Sequence, residues 1–101
     1  MKLMTKLIEK QLPKLYYNEK NKIADPMVIV KYFDPCGSWT WYGIEWDGKD
    51  EFFGYVVGWE AELGYFSLKE LQSIKRPFGL GIERDKYFRK RKLSEIKKKY
   101  K

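Results

Sequence analysis

Apolar and polar positions fall into a helical pattern at the front of the chain, an alternating pattern in the middle and a helical pattern again after residue 66. Met4, Leu7, Ile8, Leu12 and Leu15 recur at helical spacing behind Thr5, a residue suited to cap the first turn. Lys2, Lys6, Lys10 and Lys14 lie four apart on a polar stripe, and Pro13 ends the regular helix near Leu12 because its ring clashes with the preceding turn. A short amphipathic helix packed on a sheet is predicted here, with a polar loop over Asn18–Lys22. Asp25-Pro26 then opens a strand from Met27 to Phe33, with Val28, Val30 and Tyr32 facing one way and Ile29, Lys31 and Phe33 the other. Asp34-Pro35-Cys36-Gly37 has the chemistry of a turn.

The stretch from Ser38 to Phe66 holds all four tryptophans and reads as the sheet core. Its Asp47-Gly48 pair predicts a hairpin with a type I′ turn between strands over about Trp39–Trp46 and Glu51–Trp59. Simple alternation puts Trp39, Trp41, Gly43 and Glu45 opposite Thr40, Tyr42, Ile44 and Trp46. Phe53, Tyr55, Val57 and Trp59 oppose Phe52, Gly54, Val56 and Gly58. Neither strand has a clean polar side, so either both faces are covered or an aromatic face is open for binding. The glycines let a neighbouring ring lie over the backbone or mark bulges.

Ser67-Leu68-Lys69-Glu70 is a capping box with Phe66 and Leu71 at staple positions, and Pro77 stops the helix it starts. Ile82 to Phe88 reads as an edge strand, and Leu93–Ile96 as one helical turn. The predicted class is α+β: a small twisted antiparallel sheet of three to four strands with two or three short helices packed on it. Residues 1–88 form the expected single domain, and 89–101 a basic C-terminal tail, part-helical or frayed.

Charge sharpens this division. Residues 1–83 carry 11 Lys/Arg against 12 Asp/Glu, whereas 84–101 carry ten Lys/Arg against Asp85 and Glu95, so the net +7 resides in the last eighteen residues. With one cysteine, Cys36, and no histidine, an internal disulfide, a Cys/His zinc site and Ser-His or Cys-His nucleophilic pairs are excluded. No apolar run approaches the ~20 residues of a membrane span, and the N-terminus lacks an uninterrupted signal-peptide core, so a cytoplasmic location is expected.

Several runs resemble a known family. Asp25-Pro26 with Val28, Val30 and Lys31, Trp39-Thr40-Trp41-Tyr42, Glu45, Asp47-Gly48, Asp50 and Phe52-Phe53-Gly54 carry the likeness. So do Glu62-Leu63-Gly64-Tyr65-Phe66-Ser67-Leu68, Glu70-Leu71 and Ile82-Glu83-Arg84-Asp85. In consistent order, from about Leu3 to Glu95, the chain resembles the domain of unknown function 2958 family. The resemblance implies residence on plasmids, integrative elements and phages, hence DNA maintenance, transfer or interference with host defence, with no established activity. Most of Arg89–Lys101 lies outside the resembling motifs.

Three kinds of site remain. Arg84, Lys86, Arg89, Lys90, Arg91, Lys92, Lys97, Lys98 and Lys99 form a cationic cluster suited to phosphates, with Tyr87, Phe88 and Tyr100 interleaved for stacking on unpaired bases; a solvated end is the plainer reading. Trp39, Trp41 and Trp59 are, with Tyr87, candidate aromatic contacts, although large rings in a small sheet protein belong first to its core. Glu45, Asp47, Asp50, Glu51, Glu60, Glu62, Glu83 and Asp85 include conceivable acid/base or Mg²⁺-binding pairs, but Asp47 serves a turn, Glu70 a cap, and the others read as solvated charges. Glu83-Arg84-Asp85 reads as an ion-pair group, Cys36 as unreactive, and Gly79-Leu80-Gly81 as no phosphate loop. No catalytic residue, metal, cofactor, membrane or small-molecule substrate is expected. The leading expectation is a non-enzymatic accessory protein of a mobile element that contacts nucleic acid. The alternative is a protein-interaction module: an inhibitor of a host defence system of anti-CRISPR or anti-restriction type, or a transfer-complex subunit.

Overall fold

The computed structural model describes residues 1–100. The expected α+β class holds, with one more sheet strand than predicted. A five-stranded antiparallel sheet is built from β2 (Val30–Phe33), β3 (Thr40–Trp46), β4 (Glu51–Val57), β5 (Ala61–Ser67) and β6 (Glu83–Arg84), in spatial order β5-β4-β3-β2-β6. A separate two-residue ladder joins β1 (Met27–Val28) to β7 (Arg91–Lys92). The helices are α1 (Lys6–Gln11), α2 (Tyr17–Lys20), α3 (Leu68–Ser73) and α4 (Leu93–Lys98).

Two interruptions of the period-two pattern decide which residues share a face. The β3–β4 register shifts between Gly43 and Glu45, so Trp46 pairs with Phe52 and joins Trp41 on one face, rather than opposing it. That shift is a bulge, which inserts a residue and inverts every later side chain of the strand. The second break is at Ile29, whose N–H donates to the Gly43 carbonyl at 2.9 Å between β1 and β2. Val28 therefore turns to the face opposite Val30 and Tyr32, so Met27–Phe33 is two strands and not one.

Both faces are covered, settling the first of the two options left by the missing polar side. On one face Val30, Tyr32, Trp41, Trp46 and Phe52 pack with Leu3 and Leu12 of the N-terminal region, Leu71 of α3 and Ile82 just ahead of β6. On the other, Val28, Tyr42, Ile44 and Tyr55 pack with Leu93 and Ile96 of α4. Helix α4 is thus a layer of the fold, which corrects the boundary expected at residue 88. Ile96 is fully buried, and the Tyr100 hydroxyl lies 2.6 Å from that of Tyr42. The physical reason is amphipathicity: Leu93 and Ile96 stand three apart on one helical face, while Lys97, Lys98 and Lys99 stay exposed.

Local chemistry explains the connections. The β3–β4 turn spans 47–50, longer than the predicted type I′ pair; only Gly48 has positive φ (87°). The Asp47 carboxylate accepts from the N–H groups of Lys49, Asp50 and Glu51, at 2.7, 2.8 and 3.0 Å, and three such donors hold its carboxyl below the ordinary range. Ser67 caps α3 as expected by accepting from Glu70 N–H at 3.2 Å. Asp50, not Glu70, completes that cap, accepting from Ser67 Oγ and from Lys69 N–H. Thr5 caps α1 through Ile8 N–H. Glycine is required at 54, where an added Cβ would lie 1.8 Å from the Tyr42 carbonyl oxygen. At Gly58 the Trp39 ring lies over the backbone, as the glycine pattern suggested.

Candidate nucleic-acid interface

The cationic cluster divides between two elements. Arg84 stands in β6 and its guanidinium donates to the Lys2 carbonyl at 2.9 Å, pinning the N-terminal segment. After it, Asp85 shapes the chain: its carboxylate accepts from Tyr87 N–H at 2.9 Å, its carbonyl accepts from Phe88 N–H, and it pairs with Lys31 at 3.7 Å. That turn throws Lys86 and Tyr87 into solvent, Tyr87 with 92% of its surface exposed, and folds Phe88 inward against Tyr42 at a centroid distance of 6.0 Å. Arg91 lies half-buried over the Phe88 ring at 5.8 Å.

Between this turn and α1 runs an open groove of about 810 Å³. Leu7, Ile8, Ile29 and Phe88 supply apolar lining, and Arg84, Lys86, Arg89 and Lys90 bring four cations to it against the one acid, Asp85. Lys92, Lys97, Lys98 and Lys99 do not line it; they stand exposed along β7 and α4, with the Lys97 ammonium 5.9 Å from the Tyr55 ring centroid. Among the described residues the ion pairs are Lys31–Asp85 and Arg76–Asp34, and none of the nine candidate cations has an acidic partner. Glu83 is likewise unpaired, so the expected Glu83-Arg84-Asp85 ion-pair group is replaced by the Lys31–Asp85 bridge. A cationic surface free of salt bridges among the described residues, with an apolar floor, can hold phosphates and rings together.

The segment carrying these charges is anchored by Asp25. Its carboxylate accepts from the Ser94 hydroxyl and the Ser94 N–H, and these bonds, helped by Lys92 and Lys97, hold its carboxyl below the ordinary range. In the sequence Asp25 reads as a strand opener, because the partner that reveals its second role lies 69 residues away. The α1 wall of the groove is hidden in the sequence for a similar reason: Leu7 belongs to the apolar stripe predicted to pack on the sheet, yet it is 65% exposed. The available signal was an apolar stripe wider than α1 needs to cover the sheet.

The aromatic candidates separate. Trp41 is buried core at 8% exposure, which corrects its reading as a contact residue. Trp59 is 94% exposed and meets Trp39 edge to face at 6.2 Å; Trp39 in turn leans on Trp41 at 5.9 Å. Glu60 and Glu62 line the small hollow beside Trp39 and Trp59, a poor setting for phosphate.

The carboxylates are mostly structural. Glu45, expected as a solvated charge, is 4% exposed and accepts from Tyr16 N–H, Asn18 N–H and Asn18 Nδ2 at 2.7–2.9 Å. This binds the residue 14–18 segment, including Tyr16 in the left-handed region (φ 70°), and produces α2 where a loop was predicted. No group of three or more Cys, Asp or Glu side chains suited to a metal ion occurs among the described residues. Cys36 is an exposed free thiol, and no helix among the described residues is long and apolar enough to cross a membrane.

No curated protein and no solved structure matches the chain. A family model described as "Protein of unknown function (DUF2958)" matches residues 3–99, running through α4 and so through most of the segment that the resembling motifs left out. The chain therefore belongs to the DUF2958 family of proteins of unknown function.

Proposed function

We propose that the protein is a non-enzymatic accessory protein of a mobile genetic element that contacts nucleic acid through its C-terminal basic segment, with the groove beside α1 as the seat. The observation that carries this reading is that, among the described residues, none of the nine cations forms a salt bridge, and four of them meet an apolar groove. Had the body's acids neutralised them, the surface would hold no attraction for phosphate. The mobile-element setting rests on the family resemblance alone. The test is binding of the full chain to labelled single-stranded and duplex DNA, begun at low salt. Binding that weakens steeply as salt rises supports the reading, and no binding at low salt removes it.

A second reading, contact with a host or element protein, is favoured by Trp59. A nearly fully exposed tryptophan braced by Trp39 and flanked by acids suits a protein hot spot better than a nucleic-acid one. An inhibitor of a host defence system or a subunit of a transfer complex would use such a patch. Retention of a host protein by the wild type but not by Trp59→Ala, with the fold intact, would favour it over the first.

A further inference from the structure

The two edges of the sheet are unlike. β6 is two residues long and wholly charged, the usual way a natural sheet blunts an edge. β5 is seven residues long, contains neither proline nor lysine, and pairs with β4 without a bulge from Glu51↔Ser67 to Val57↔Ala61. Its one charge is Glu62, and it is neither shortened, bulged nor broken by proline. Leu63 and Tyr65 are also about half exposed, at 46% and 50%.

Hydrogen-bond parity shows which groups are free. Leu68 N–H donates to the Asp50 carbonyl at 2.8 Å, and Gly58 N–H donates to the Glu60 carbonyl at 2.9 Å. Alternation between those two bonds turns the main-chain groups of Glu62, Gly64 and Phe66 toward β4. The main-chain groups of Ala61, Leu63 and Tyr65, and the Ser67 N–H, therefore point to the open edge, while the Ser67 carbonyl starts α3.

We infer that β5 is the docking edge for a second copy of this chain, the two strands pairing antiparallel about a two-fold axis at Gly64. The register is self-complementary. Leu63 comes opposite Tyr65 of the second copy, and each of these two pairs exchanges two main-chain hydrogen bonds; Ala61 comes opposite Ser67, which offers its N–H while its carbonyl starts α3. Glu62 comes opposite Phe66, so no like charges face one another, and the Leu63–Tyr65 pairs form an apolar ladder on one face. Beyond Ser67 the chain turns into α3, which brings the exposed Lys69 of the second copy to the end of the ladder where Glu60 stands, an opposite charge at each end. Gly64 at the axis has open space about it, so no side chain holds the strands apart. The two-fold makes the Leu63–Tyr65 contact and the Glu60 with Lys69 charge match twice over, which is what favours a second copy over an unrelated extended peptide as the occupant.

The test is light scattering on the full chain across a dilution series, with hydrogen exchange followed at each backbone amide. Twice the chain mass is expected at high concentration, with the Leu63 and Tyr65 amides slowing as concentration rises. Leu63→Pro removes an N–H that makes no bond to β4, so the expected product is a folded monomer, while Leu63→Thr, which keeps the N–H, remains a dimer. Should Leu63→Pro fail to fold, the double variant Leu63→Lys, Tyr65→Lys sets lysines opposite one another and is expected to be monomeric. A monomer at every concentration, free exchange at Leu63 and Tyr65 throughout, or a folded Leu63→Pro chain that still dimerises would each overturn the inference.

Discussion

Asp25 accepts two hydrogen bonds from Ser94, from the main-chain N–H at 2.9 Å and from the hydroxyl at 2.6 Å. This one carboxylate, just ahead of β1, supplies the helix cap that Lys92 at the N-cap of α4 cannot. It closes the chain on itself: β1 pairs with β7, and α4 then lies down on the sheet.

Removal of that cap is expected to loosen α4. Asp25→Ala should lower the denaturation midpoint and speed amide exchange at Ser94–Ile96, with Ser94→Ala giving a smaller effect because its N–H still donates. The pH dependence follows in sign. The Asp25, Asp47 and Asp50 carboxyls are all depressed in the fold, so the stability they contribute is present above the unfolded value of about 3.9 and is lost as pH falls through their folded values. Acid titration of wild type should therefore show a stability loss below about pH 4 that is reduced in Asp25→Asn.

Burial of Ile96 distinguishes a structural helix from a solvated end. Ile96→Ala is expected to destabilise the whole domain by ~2–5 kcal/mol, as for other buried aliphatic truncations. Urea unfolding followed by tryptophan fluorescence measures it; an unchanged midpoint would mean that α4 does not pack on the sheet.

The two glycines at the centre of β4 and β5 should respond oppositely. Gly54 and Gly64 are paired across the ladder, yet an added Cβ meets the Tyr42 carbonyl oxygen at the first and nothing within 4 Å at the second. Gly54→Ala is expected to prevent close β3–β4 pairing and to abolish cooperative folding. Gly64→Ala is expected to fold normally, gaining up to ~1 kcal/mol from the stiffer unfolded chain. Thermal melts of both variants check the contrast.

Loss of Glu45 should free the segment it binds. Glu45→Ala leaves the N–H groups of Tyr16 and Asn18 without their acceptor, at a cost of ~1–3 kcal/mol if they stay buried. The expected signature is faster exchange confined to residues 14–20, with the sheet amides unchanged.

Local chemistry was legible where neighbours along the chain settle it. Thr5, Ser67, Pro13 and the Asp47-Gly48 turn each announce an element boundary that the fold respects. What escaped the sequence was set by partners far away. The bulge at 43–45 and the break at Ile29 invert side chains that simple alternation had assigned, and only the packing of both faces reveals them. β5 is hidden because Glu62 and the exposed Leu63 and Tyr65 give an edge strand no buried period of its own. Glu45 looked solvated for want of any sign that Tyr16 and Asn18 would fold over it. For the candidate site, the cations were visible as charge, but the α1 wall of the groove was not, since nothing in Leu7 or Ile8 says what lies across from them.

The most direct test of nucleic-acid contact is the salt dependence of binding to a labelled single strand, compared between wild type and the triple variant Lys86→Glu, Arg89→Glu, Lys90→Glu. These exposed positions are free of ion pairs, so the variant is expected to keep its fold. The wild type should show a logarithmic affinity falling linearly with the logarithm of salt concentration, and the variant a weaker affinity with a slope shallower by about three phosphate contacts. Equal affinity and equal slope for the two proteins would contradict the assignment of the groove.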